Sequence, residues 1–287
     1  MQELAVTIGG VTVAIVSRDG DLHLGLRGPH VRFAAAAVTA DITVEVTWDA
    51  SPLAGEKLFD SGGVWQLYRD GHLLSFHLTS PKFGPLPYAT VTFNEEFTGG
   101  VVYLRRDCFD ASAPLYPLDY PLDELLVTNW LALGRGVEVH ACGVVDTDGA
   151  GYLFSGYSGA GKTTTARLWC RENGVRVLSD DRIILRKVAG DVWMHGTPWH
   201  GDEPLASPHP ARLRRGFFLH HGASNRLARV SGAQAVMELF ARSFPPFFNA
   251  CGLEFTLSVL TEIVDVIPFF DLDFVPDQAL PGFLRTS

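Results

Sequence analysis

The sequence predicts two parts: a β-rich domain over residues 1–113, then a larger α/β domain over residues 114–287. Three observations predict it. The first stretch is a series of short apolar runs broken by turn residues. A glycine-rich octapeptide, Gly156–Thr163, falls between an apolar strand and a helical run. The next apolar strand ends on two adjacent acids, Asp180 and Asp181.

In the first part the runs are Leu4–Ile8, Val11–Val16, Ile42–Trp48, Val64–Tyr68, Leu73–Leu78, Thr90–Phe93 and Val101–Leu104. Gly9-Gly10, Asp19-Gly20, Gly62-Gly63, Asp70-Gly71 and Gly99-Gly100 separate many of them. Runs of this length between such turns predict antiparallel strands. His23, His30, His72 and His77 are scattered there and read as structural or surface histidines. With no catalytic motif, residues 1–110 are expected to stay away from the reacting groups.

The 287 residues are 47% hydrophobic and 19% charged, which is globular and excludes a disordered chain. No run approaches the roughly 18 apolar residues of a membrane span. Glu3 stands where a signal peptide would carry Lys or Arg, so the expected location is cytoplasmic, with no membrane partner. Cys108, Cys142, Cys170 and Cys251 lie far apart without a CxxC pair, which argues against a disulfide framework or a zinc cluster. A net charge of −9 disfavours nucleic acid as a partner. Locally, Leu205–Pro245 is basic through Arg212, Arg214, Arg215, Arg226, Arg229 and Arg242 against the single acid Glu238. At least one of Arg212, Arg214 and Arg215 is expected to approach phosphate or an acidic acceptor.

Pro114–Pro121 reads as a stiff connector, because proline restricts itself and the residue before it. Leu122, Leu125, Leu126, Trp130 and Leu133 then form a helical stripe, with Asp123 and Glu124 in the first turn.

Val137–His140 and Gly143–Val145 read as strand, and Gly151–Ser155 as the next one. The latter runs into Gly156-Tyr157-Ser158-Gly159-Ala160-Gly161-Lys162-Thr163, which is G-x-x-x-x-G-K-[ST], the phosphate-binding loop. Its glycines let the backbone wrap phosphate with N–H groups inward. Lys162 offers a point charge to the β- and γ-phosphates, and the Thr163 hydroxyl can ligate Mg²⁺. A helix over Thr164–Glu172 would turn its positive end to the anion. ATP and Mg²⁺ are the cofactors this pattern calls for.

Val175–Ser179 delivers Asp180 and Asp181 eighteen residues after Lys162. One helix and one tight turn fill that gap, so this strand and Gly151–Ser155 are expected to be neighbours in one sheet. Both acids would then lie at the carboxyl edge beside the loop. One could hold Mg²⁺ while the other takes a proton from an attacking hydroxyl.

The octapeptide, the short distance to Asp180-Asp181, and the upstream Val139-His140-Ala141-Cys142-Gly143-Val144 together resemble HPr kinase/phosphorylase, over roughly residues 137–190. The likeness is to divergent bacterial members of that group. It implies an α/β P-loop kinase domain of the HPr kinase/phosphoenolpyruvate carboxykinase type, preceded by a smaller β-rich domain. It implies that Asp180 accepts the proton, that Thr163 and Asp181 serve Mg²⁺, and that His140 lies near the transferred phosphate. The family's acidic-Arg-Gly signature is replaced by His195-Gly-Thr-Pro-Trp-His-Gly-Asp-Glu203, and the glycine after His140 comes two places late. In that loop Trp199 could stack, and Asp202 or Glu203 could offer a second metal contact, beside the alternative of a plain surface loop.

The carboxyl-terminal third predicts a strand at Gly216–His220 and a helix at Ala233–Ser243. Leu253–Asp265 reads as helix, with Val259–Val266 open as a strand, and Pro268–Leu284 as an apolar extension.

The expected function is a kinase: transfer of the γ-phosphate of Mg-ATP to a hydroxyl of a protein, peptide or small molecule. The loop, including Gly156, Ser158, Gly159, Ala160, Gly161, Lys162, Thr163 and Thr164, binds nucleotide; Asp180, Lys162 and His140 act in catalysis. Two other readings are an ATP-hydrolysing switch and a small-molecule kinase of the adenylylsulfate-kinase kind. The first lacks a guanine-reading N-K-x-D, and the second has no place for the β domain or His140. The acceptor and a homo-oligomeric state stay open.

Overall fold

The computed structural model describes residues 1–36, 39–49, 55–110 and 112–287. The chain divides into one unit of Met1–Thr7 with Val11–Leu126 and a second of Ile8–Gly10 with Val127–Ser287. Each is mixed or β-rich around its own large sheet.

The first unit is built on β1 (Gln2–Ile8), β2 (Val11–Ser17), β3 (Ile42–Thr47), β4 (Glu56–Asp60), β5 (Trp65–Asp70), β6 (Leu73–Leu78), β7 (Ala89–Asn94) and β8 (Gly99–Leu104). They form one eight-stranded sheet in the order β1-β2-β3-β8-β7-β6-β5-β4. From β4 to β8 every neighbour is antiparallel, as the turn signals predict. The β2–β3 and β3–β8 pairs are parallel instead. The long chain between β2 and β3 supplies the crossover that a parallel pair requires. β4 escaped the sequence reading because Glu56-Lys57-Leu58-Phe59-Asp60 is a mostly exposed edge strand, where charge blunts unwanted pairing. Alternating apolar residues such as Ile15, Val44, Phe76, Val91 and Val102 are buried. The histidines are not gathered: His30 Nε2 bonds Asp123 at 2.7 Å, while His77 bonds Ser75 at 3.1 Å and stacks on Tyr68.

The division of the chain falls inside α1 (Leu122–Leu131). The second unit then runs β9 (Val137–Val145), β10 (Gly151–Ser155), α2 (Lys162–Trp169), β11 (Arg176–Ser179), β12 (Arg182–Val188), β13 (Asp191–Gly196) and β14 (Ala211–His221). After these come β15 (Arg226–Arg229), α3 (Gly232–Phe240), α4 (Ala250–Val266), β16 (Phe269–Phe274) and α5 (Ala279–Thr286). The sheet path is β10-β9-β12-β13-β14-β16-β15, with β11 also on β9 and β10 also on β14. Alternation along β9 divides its side chains between two cores. Val137, Val139 and Ala141 pack with Leu239, Leu260 and Ile263 of α3 and α4. Cys142 and Val144 pack with Ala166 and Trp169 of α2 and Leu280 and Leu284 of α5. The sheet thus lies between two helical layers.

Three expectations are corrected here. β10 and β11 are not neighbours, because β9 runs antiparallel between them. That double reversal still points both carboxyl ends to the same edge. The phosphate-loop helix begins at Lys162 and ends at Trp169, not at Thr164 and Glu172. Residues 268–284 contain β16, paired between β14 and β15, and α5, so they are a core strand and a helix. Residues 250–266 are helix throughout. Among the described residues, no helix is long and apolar enough to cross a membrane, and the four cysteines are free.

Candidate functional site

β10 is buried over its whole length, and its apolar side chains anchor it between β9 and β14. The chain leaves it at Ser155 and turns through the glycine-rich loop into α2. Two glycines are sterically required. A Cβ at Gly156 would lie 2.7 Å from the Ala160 methyl. Gly161, the N-cap of α2, has φ 104°, and a Cβ there would lie 2.5 Å from the Phe274 ring. Lys162 is buried and donates to the carbonyls of Gly156 at 2.9 Å and Tyr157 at 3.2 Å. Burial lowers its pKa, opposed by Asp181 and reinforced by Arg182 and Arg242. The ammonium is thus folded against its own loop, at the mouth of α2, whose amino end favours anions. Ser158 is exposed, and Thr163 and Thr164 are half-buried. His221 Nε2 donates to the Gly159 carbonyl at 3.0 Å and braces the loop from the end of β14.

The acid pair lies at the junction of β11 and β12, both of which pair with β9. The Ala141 N–H donates to the Asp181 carbonyl at 3.0 Å, and Ala141 pairs on its other side with Ser155. Asp181 and the start of the loop are therefore level across one intervening strand.

The two carboxylates have different surroundings. Asp180 is 1% exposed. Its Oδ1 accepts the Gly201 N–H at 2.9 Å, and its Oδ2 accepts the Glu203 N–H at 3.3 Å and the Thr163 hydroxyl at 3.4 Å. Asp181 Oδ1 accepts from His140 Nε2 at 2.8 Å, and its Oδ2 accepts from Arg182 Nη1. Burial would raise the Asp181 pKa, but the His140 bond and the Arg182 charge outweigh it and hold the carboxyl below its ordinary value. Arg182 also reaches buried Glu138 at 3.4 Å and covers the Phe244 ring. His140 is held at both backbone ends: its N–H donates to the Arg242 carbonyl at 2.7 Å and its carbonyl accepts from Ser155 Oγ at 3.1 Å.

The structure thus brings the loop, Lys162, Thr163, Asp180, Asp181 and His140 to one edge. The Thr197–Glu203 segment reaches the same place, but through backbone N–H groups on Asp180. Trp199 is 5% exposed, so its ring fills the interior and is not offered for stacking; Glu203 is engaged by Arg167 at 2.7 Å. Arg212, Arg214 and Arg215 do not come to this edge. Leu213 pairs with Gly151 at the amino end of β10, whereas the loop leaves the carboxyl end opposite Phe218. Arg212 binds Asp191 at 2.7 Å, and Arg215 binds the Leu284 and Ser287 carbonyls. Of that basic segment it is Arg242 that reaches the loop, its guanidinium 4.1 Å from the Tyr157 ring centre, while Arg182, adjacent to the acid pair in sequence, bonds Asp181.

The oxygens of Thr163 and Asp180 are hard donors that suit Mg²⁺. Among the described residues no group of three or more His, Cys, Asp or Glu is arranged to hold a metal unaided. Mg²⁺ does not need one, since it takes one or two protein oxygens plus phosphates and water. The chain matches no protein-family model and no curated protein.

Proposed function

We infer that the second unit is an ATP-dependent phosphotransferase whose acceptor is a hydroxyl, of the kind its phosphate loop resembles in HPr kinase/phosphorylase. The observation that carries this reading is the placement of the His140–Asp181 pair level with the start of the phosphate loop. A simple anion-binding loop has no use for a carboxylate–imidazole pair beside it.

In this reading the loop N–H groups and the amino end of α2 hold the phosphates, and Lys162 leaves the Gly156 and Tyr157 carbonyls for the terminal phosphate oxygens. Thr163 and Asp180 hold Mg²⁺, which when bound neutralises charge on the phosphates. The donors on Asp180 fix its carboxylate in place and keep it from an incoming hydroxyl. Asp181, more open and oriented by His140 and Arg182, accepts the hydroxyl proton. This assignment exchanges the roles that the resemblance implies for the two acids. A reaction that draws on Mg-ATP suits the expected cytoplasmic location.

The test is incubation with γ-labelled Mg-ATP and a lysate. An acid-stable phosphoester on a hydroxyl supports transfer. Label released only as inorganic phosphate would replace it with hydrolysis.

A further inference from the structure

Arginines that do not serve the phosphate-loop edge gather at the opposite edge of the same sheet. There the strands follow one another as β11-β9-β10-β14-β16-β15. Arg176 opens β11 opposite Val145, and Val145 pairs with Gly151. Gly151 pairs in turn with Leu213, the residue between Arg212 and Arg214. Arg229 closes β15 opposite Phe270, near the start of β16. The five inter-strand spacings from β11 to β15 carry this row about 24 Å across the sheet.

Two cavities follow the row. One, of about 710 Å³, is lined by Arg176, Arg212 and Arg214, and the other, of about 430 Å³, by Arg229. They meet at Ile267 and Pro268, which line both. Arg212 is matched by Asp191 at 2.7 Å, and the other acid of the larger cavity, Asp148, accepts the Ala150 N–H at 2.9 Å. Arg176, Arg214 and Arg229 are exposed, and among the described residues their guanidinium groups have no hydrogen-bond or ion-pair partner. The lining therefore carries an excess of positive charge that the fold itself does not balance.

We propose that this edge is a docking groove for an extended acidic peptide segment of a partner protein, whose Asp and Glu side chains pair with Arg176, Arg214 and Arg229. A planar guanidinium takes a carboxylate through two parallel bonds. The spread of the row suits an extended chain, which at about 3.3 Å per residue covers it with roughly seven or eight residues. A compact anion would satisfy one end and leave the other unmatched. Single-stranded nucleic acid would be repelled by Asp148 and Asp191 and would find little to stack on: Trp193 carries the Arg212 guanidinium 5.5 Å from its ring centre, and Phe269 is buried. The phosphate loop leaves the other end of β10, so docking here is independent of the reaction performed there.

The test is fluorescence anisotropy on the full chain with three fluorescein-labelled probes. These are the peptide Asp-Glu-Val-Glu-Glu-Val-Glu-Asp, its neutral counterpart Asn-Gln-Val-Gln-Gln-Val-Gln-Asn, and an oligothymidylate of the same number of units. The acidic peptide should bind at least about tenfold more tightly than the neutral one, with an affinity that falls as salt rises. Arg176→Glu combined with Arg214→Glu should weaken it by about tenfold or more. Arg176→Lys with Arg214→Lys keeps the charge and should cost about threefold or less. Arg171→Glu, an exposed change in the same unit outside both cavities, should leave binding unchanged, and Mg-ATP affinity should stay constant throughout. Equal binding of the two peptides, binding of neither, or tighter binding of the oligonucleotide would each overturn the proposal. So would an affinity for the acidic peptide that survives the double Glu variant, or one that Arg171→Glu lowers as much.

Discussion

His140 Nε2 lies 2.8 Å from Asp181 Oδ1: His140 belongs to β9, and Asp181 lies in the bend between β11 and β12, tied to β9 through the Ala141–Asp181 backbone bond. The ring is fixed by its strand, and the carboxylate by the ring and by Arg182. A carboxylate held in this way is oriented before any acceptor arrives, which is the condition for efficient proton transfer.

Asp181→Asn should lower phosphoryl transfer by about 10²–10⁴-fold with little change in ATP affinity. Asp180→Asn should instead weaken binding of Mg-ATP, because it disturbs the partner of Thr163. Single-turnover rates and nucleotide titrations on both variants separate the two. The reverse pattern would restore the proton to Asp180.

Gly161→Ala should abolish nucleotide binding. A side chain at φ 104° is strained by about 1–3 kcal/mol, and its methyl would strike Phe274. Nucleotide titration checks this, with circular dichroism confirming that the sheet persists.

Trp169 is fully buried between Tyr152, Phe154 and the Arg285 guanidinium. Trp169→Ala should destabilise the second unit by about 3–5 kcal/mol in urea unfolding, through the cavity it leaves.

His195 has its pKa pushed down to about 4 by burial, with the Arg186 charge adding to it. The unfolded imidazole takes up a proton near 6.5, but the folded one refuses it until about 4. Its contribution is therefore intact above 6.5 and is lost as pH falls towards 4, by about 3 kcal/mol at most. Urea unfolding at pH 7 and pH 4.5 should show a smaller loss for His195→Gln than for the wild type. Equal losses would remove His195 as the cause.

The local parts of the site were legible because they are contiguous. The octapeptide carries its own turn chemistry, and Asp180 and Asp181 end an apolar strand. Strand order was not, since neither β10 nor β11 indicates that β9 will come between them. β16 was hidden by Asp271 and Asp273, which look like loop residues until His220 and Arg226 are seen to bond them. Pro281 disguised α5, although it falls in the first turn, where a missing N–H costs nothing. Arg242 could not be found by spacing, because it reaches Tyr157 only through the packing of α3 against the sheet.

The most direct test of the central claim is to compare Lys162→Ala with the wild type for label transfer from γ-labelled Mg-ATP to hydroxyl acceptors. Lys162 is the one side-chain cation within the loop sequence, and it already bonds the Gly156 and Tyr157 carbonyls that border the site. Its loss should lower transfer by at least about a hundredfold, since a preorganised cation on the reacting phosphate contributes several kcal/mol, while the unfolding midpoint changes little. Transfer at the wild-type rate in the folded variant would contradict the phosphotransferase account.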